Sequence, residues 1–171
     1  AQIKVFGEMA MKGYIYRGLK PVHWSPSSQT ALAEAELEYP EGHISKSIYF
    51  SFEVTHIPEN LYKELLKQEL DLPVDLNGVV NNLSLAIWTT TPWTIPANVA
   101  VSVNSKFQYA FVSDSNGKIL IIAYDLLDKV SEKINSSFRL LAKIKGSFLS
   151  GMIYRNPLID RTSPVVLGGD Y

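Results

Sequence analysis

Ser45 to Val54 alternates between apolar and polar positions. Ile48, Phe50, Phe52 and Val54 share one face and Tyr49, Ser51 and Glu53 the other, which predicts a half-buried strand. Leu83 to Trp88 is a nearly unbroken apolar run and predicts a buried strand. From Pro58 to Leu70 the pattern changes period: Leu61, Leu65, Leu66 and Leu70 fall on one side of a helix that Pro58 starts. Ile3 to Arg17 also has near-helical spacing (Val5, Phe6, Met9, Ala10, Tyr14, Ile15), with Gly18 as its stop. Gln108–Val112 and Lys118–Ala123 flank Asp114-Ser-Asn-Gly117, a hairpin signal because Asn-Gly tolerates positive φ.

The remaining chain reads as short pieces. Pro21–Trp24 is a short strand, Ser25–Ser28 a turn, and Thr30 the cap of a brief helical turn through Ala35. Asp71–Asn82, with Pro73 and Asn77-Gly78, reads as a loop. Ala97–Val103, Phe138–Ile144, Met152–Tyr154 and Val165–Leu167 read as strands, and Tyr124–Ile134 as a surface helix. Many short strands and few helices predict a mainly β, α+β fold: a barrel-like mixed sheet with peripheral helices.

Composition narrows the function classes. The 171 residues suffice for one domain with a real core. A hydrophobic content of 46% and a mean hydropathy of +0.02 are those of a globular chain, and no apolar run approaches the roughly 18 residues of a membrane span. Sixteen basic and seventeen acidic residues give a net charge of -1, so no general basic face is available to nucleic acid. Any such partner must enter a small, local pocket. Cysteine is absent, which excludes a disulfide framework and thiolate metal sites. His23, His43 and His56 lack metal-ligand spacing, and neither a phosphate loop nor a Ser-His-Asp pattern is present.

The chemically unusual stretch is Ile87 to Ala100, where Thr89, Thr90 and Thr91 stand between Trp88 and Pro92-Trp93, followed by Pro96-Ala97-Asn98. Pro92 and Pro96 each fix φ and remove a backbone donor, so the strand stops near Thr91. Three hydroxyls then sit at a strand end, where a scaffold presents its chemistry. Residue by residue, the plain reading is a threonine-rich edge with two core tryptophans and a turn asparagine bonding its own backbone. As a block the stretch is too unusual for that.

Trp88-Thr-Thr-Thr-Pro-Trp-Thr94 followed by Pro-Ala-Asn98 resembles the threonine-rich signature of the editing (CP1) domain inserted into class I isoleucyl-tRNA synthetases. Valyl and leucyl relatives carry a Thr-Thr-Arg-Pro type of block instead. Lys20-Pro-Val-His-Trp24, Thr30-Ala-Leu-Ala-Glu-Ala-Glu36, Glu38-Tyr39 and Ser47-Ile-Tyr49 resemble the opening segment of the same insertion, and Gly168-Gly-Asp-Tyr171 a strand near its far end. The resemblance implies that residues 1–20 are a connecting helix from the catalytic domain, packing poorly without it, and that 21–171 are the editing domain.

That resemblance implies hydrolysis of valine wrongly attached to isoleucine tRNA. One missing methylene is worth only about 1–3 kcal/mol in an apolar pocket, a magnitude established on synthetases of this kind and adopted here as given. A second site must therefore admit the smaller amino acid and hydrolyse its ester. By motif, Thr90 and Asn98 organise the ester and the attacking water, while Thr89, Thr91 and Pro92 bind substrate and Trp88 and Trp93 act as rigid walls. The implied partners are the 3′ end of aminoacylated tRNA, its valine moiety and the catalytic domain of the same polypeptide, with no membrane. No cofactor or metal is implied in this domain, although the parent enzyme uses ATP and Mg. Cytoplasm, or an organellar stroma or matrix, is the implied location.

The family pattern continues into a His-Thr-Ala-Pro-Gly-His block and an aspartate that hold the adenosine end and the amino group. The present sequence stops at Tyr171, so the expectation is half of an editing site, weak or inactive alone. Ser25-Pro-Ser-Ser28 stands where some relatives have Cys-x-x-Cys, so zinc is not expected there. His43-Ile-Ser-Lys-Ser47 only echoes the Lys-Met-Ser-Lys-Ser loop of class I active sites and leads straight into a strand. Two rival readings follow: a non-catalytic interaction module whose threonines are a barrel rim, and an editing domain of the valyl branch acting on a threonyl ester.

Overall fold

The computed structural model describes residues 1–70, 72 and 81–168, and the chain divides into two compact units, 1–44 and 45–171. The first unit contains helix α1 (Gln2–Met11), a minimal two-stranded sheet of β1 (Trp24–Ser25) with β2 (Thr30–Ala31), and a 3-10 turn at Glu34–Glu36. Helix α1 ends well before the expected stop at Gly18. Gly13 takes φ +76°, and the amides of Gly13 and Tyr14 return to the carbonyls of Ala10 and Met9, each at 3.0 Å. Those bonds use carbonyls of the last turn and terminate the helix. No residue of α1 is buried. Thr30 pairs in a strand instead of capping a helical turn, and the expected strand at Pro21 begins only at Trp24.

The second unit is built on β3 (Ile48–His56), α2 (Glu59–Lys67), β4 (Leu83–Thr89), β5 (Val101–Asn104), β6 (Gln108–Ser113), β7 (Ile119–Ala123), α3 (Leu127–Ile134), β8 (Arg139–Lys145), β9 (Ile153–Asn156) and β10 (Arg161–Gly168). These eight strands form one mixed sheet in the order β5-β10-β9-β3-β4-β7-β6-β8. The α+β, mainly β architecture is as the strand pattern predicts. Strands β3 and β4 are central and antiparallel, with Phe50 opposite Ile87 and Phe52 opposite Leu85. Their inward residues join Val54, Leu61, Leu65, Ile121, Tyr154 and Val165 in the main core. The opposite face of the sheet forms a second cluster, in which Ala110, Val112 and Ile122 lie under Val130 of α3.

The sheet curls until its ends meet. The turn between β5 and β6 accepts hydrogen bonds from the segment after β8: Gly146 to the Phe107 carbonyl at 2.8 Å, and Ser147 to that of Ser105 at 3.2 Å. A Cβ on Gly146 would fall 2.1 Å from the Asn104 carbonyl oxygen, so only glycine permits this approach. The outer edge of β8 is covered in part by Gln68, whose amide donates to the Lys143 carbonyl and accepts from its N–H, both at 2.9 Å. A side chain thereby takes the place of a neighbouring strand.

Other boundaries shift by a few residues. Leu66 is 44% exposed, because α2 closes at Lys67 and only Leu61 and Leu65 are buried in it. Strand β5 starts at Val101 rather than Ala97, since residues 94–98 are held in tight turns. The Asp114–Gly117 hairpin forms as expected, with Gly117 at φ +78°. The loop expected at Asp71–Asn82, and Gly168-Gly-Asp-Tyr171 beyond Gly168, lie almost wholly outside the described residues.

Candidate active site

Strand β4 stops at Thr89, two residues before the expected end, because its own hydroxyl captures the backbone beyond it. Thr89 Oγ1 accepts the Thr91 N–H at 3.0 Å and lies 3.1 Å from Thr91 Oγ1. Such short side-chain to backbone bonds compete with the sheet ladder. Pro92 then opens a 3-10 turn, Pro92–Thr94, and Thr94 Oγ1 donates to the Thr91 carbonyl at 2.7 Å. Successive turns carry the chain to Asn98, whose N–H meets the Ile95 carbonyl at 3.1 Å. Ile95 is buried and pins the segment to the core.

The neighbouring strands hold this segment from below. Asn156, itself buried on β9, donates to the Ile95 carbonyl at 2.8 Å. Arg161 of β10 donates to the Asn98 carbonyl and, at 3.4 Å, to that of Pro96. The Asn98 side chain is bonded at both ends: Nδ2 donates to the Ala100 carbonyl at 2.9 Å, and Oδ1 accepts from the Tyr154 hydroxyl. Burial pushes the Tyr154 hydroxyl above the ordinary tyrosine range, against smaller lowering by Ser163 and Arg161, so it is a proton donor at neutral pH.

Between the strand end and the turns lies a hollow of about 230 Å³, bordered by Ile87, Trp88, Thr89, Thr94, Ile95 and Asn98 among others. Of the residues singled out from sequence, Trp88, Thr89 and Asn98 come together on its wall. Thr90, Thr91 and Pro92 lie on the adjoining turn without lining it, and Trp93 stands 74% exposed on the 3-10 turn. Among the described residues the Thr90 hydroxyl has no hydrogen-bond partner. Asn98 makes the backbone bond of an ordinary turn amide, yet keeps one Nδ2 hydrogen and one Oδ1 lone pair for a ligand.

Sequence reasoning did not find Tyr154, Asn156 or Arg161, which lie more than fifty residues along the chain and carry no local motif. Thr94 was inside the quoted block, and its hydroxyl reaches back to Thr91. Among the described residues no group of three His, Cys, Asp or Glu is placed to hold a metal ion.

The curled mixed sheet has a counterpart among solved folds, and the sequence gives the class. The chain belongs to the family described as "tRNA synthetases class I (I, L, M and V)", which matches residues 1–150. Within it, the chain is similar to isoleucine–tRNA ligases: 60% identical to that of Prochlorococcus marinus strain NATL1A and 56% to that of Parasynechococcus marenigrum WH8102, each over 171 residues. Those matches cover the whole of this chain and 18% of each relative. A solved structure described as the crystal structure of GlLeuRS-CP1 has the same fold, with a TM-score of 0.53 over 71% of this chain and 49% of that one, at 15% identity.

Proposed function

We propose that the chain is the editing domain of an isoleucine–tRNA ligase, and that it hydrolyses valine wrongly esterified to isoleucine tRNA. The observation that carries the reading is the open hollow at the end of β4, edged by Thr89, Thr94 and Asn98, with Thr90 next in the chain on the adjoining turn. The similarity to isoleucine–tRNA ligases over the full chain supports the isoleucyl branch over the valyl one. The catalytic domain of the same polypeptide would deliver the tRNA 3′ end.

Water is the nucleophile in this reading. It adds to the ester carbonyl carbon as it gives up a proton, the carbonyl oxygen becomes an oxyanion, and collapse expels the terminal ribose oxygen, which takes up the proton that the water released. Thr90 holds the water or the ester through its free hydroxyl. Asn98 offers its remaining N–H from a side chain whose orientation Tyr154 and the Ala100 carbonyl fix. No threonine needs a lowered pKa, because the work is positioning and charge stabilisation. The hollow has room for a small side chain and a few waters, each about 30 Å³.

Deacylation of valyl-tRNA by the intact synthetase carrying Thr90→Ala and Asn98→Ala tests the proposal. Loss of deacylation with aminoacylation retained supports it. Valyl-tRNA disappearing at the normal rate sinks it in favour of a non-catalytic rim.

A further inference from the structure

Arg161 is a half-buried cation that no carboxylate balances among the described residues. Its chain neighbour Asp160 pairs with Arg155 instead, at 3.2 Å. The acceptors of Arg161 are main-chain carbonyls: one terminal nitrogen, Nη2, donates to that of Asn98 and, at 3.4 Å, to that of Pro96. Its Nε is buried and has no partner. A buried guanidinium donor left unmade is costly, so a position that keeps one calls for a reason beyond stability.

The strand register supplies that reason. Arg161 stands opposite Asn156, and Ser163 opposite Tyr154, so two-residue alternation puts all four on one face of the β9–β10 pair. Tyr154, Asn156 and Ser163 are buried there. This polar face holds residues 95–98 with a division of labour. Asn156 takes the Ile95 carbonyl, Tyr154 takes the Asn98 amide oxygen, and Arg161 takes the Asn98 main chain in which that amide is rooted. The bonds from Tyr154 and to the Ala100 carbonyl are made by the Asn98 side chain, so they set its rotation and not the place of its Cα.

We propose that Arg161 is a positioning residue for the hydrolysis: it anchors the Asn98 backbone so that the remaining amide hydrogen meets the ester, and itself touches neither substrate nor water. The inference rests on the hydrolytic reading. A planar guanidinium suits the task because it presents fixed donors to two carbonyls of one turn. Lysine keeps the charge but has a single compact head, and methionine keeps only the length.

The test is valyl-tRNA deacylation by the intact synthetase, with kcat and KM measured separately. A displacement of about 1 Å costs on the order of 10²-fold in rate, so Arg161→Met should lower kcat by roughly that factor and Arg161→Lys by roughly tenfold. KM and aminoacylation should stay near wild type. Arg155→Met makes the same change of charge on the other face of β9 and should leave deacylation unchanged. Circular dichroism checks folding, and Arg161→Lys decides alone if the methionine variant does not fold. A folded Arg161 variant with wild-type kcat, a change confined to KM, or an equal loss in Arg155→Met each overturns the inference while the hydrolytic reading stands. A wild-type synthetase that leaves valyl-tRNA intact removes both.

Discussion

The Tyr154 hydroxyl donates to the Asn98 amide oxygen, joining β9 to the turn that follows the threonine block. Tyr154 is fully buried and its ring packs on Phe52, 4.6 Å between centroids. The core thus reaches through one side chain to the rim of the hollow and sets which way an amide points.

Tyr154→Phe keeps the ring and removes the donor. The Asn98 oxygen is half-buried and loses its partner, which costs about 1–3 kcal/mol of stability. Urea unfolding of the two proteins measures this. A change within error would mean that the oxygen finds water instead.

The same hydroxyl makes stability depend on alkaline pH. Its folded pKa lies above the ordinary value near 10, so the native state keeps a proton that the unfolded chain gives up. Stability is unaffected below that value and declines as pH rises through and beyond it. The expected urea midpoint falls more steeply above about pH 10 in the wild type than in Tyr154→Phe.

Gly146→Ala tests the closure of the sheet. The added methyl meets the Asn104 carbonyl at 2.1 Å and the Tyr109 ring at 2.8 Å, and the former is backbone that cannot swing away. A loss of about 1–3 kcal/mol, or more if the sheet opens, is expected in thermal unfolding.

Gln68→Ala uncovers part of the β8 edge. Two exposed hydrogen bonds are lost, so stability changes by only about 1 kcal/mol. Self-association at high concentration should increase, because the free Lys143 backbone invites another strand. Light scattering reads the difference.

Thr90→Ala should leave stability within about 0.5 kcal/mol, since the hydroxyl has no partner among the described residues. In the intact synthetase the same change should slow valyl-tRNA deacylation by roughly 10²-fold if the hydroxyl meets the developing charge. Normal folding with normal deacylation would remove Thr90 from the mechanism.

Local rules were enough to determine much of this protein. The two-residue alternation of Ile48 to Val54, the leucines of α2 and the Asn116-Gly117 turn each encode their element in neighbours alone. The threonine block with its prolines announced a strand end bearing hydroxyls, because φ restriction and missing donors act wherever the chain goes. What tertiary structure decided depends on residues that meet only after folding. Helix α1 ended at Met11 rather than near Gly18, because the left-handed turn at Gly13 and the bonds that return from residues 13 and 14 close it early. Trp88 and Trp93 were equivalent as walls in the sequence, yet one borders the hollow at the end of β4 and the other stands on an exposed turn. Tyr154 and Arg161 reach Asn98 because strand order β10-β9-β3-β4 lays their strands beside the turn, and no local pattern of chain chemistry records which strands will be neighbours.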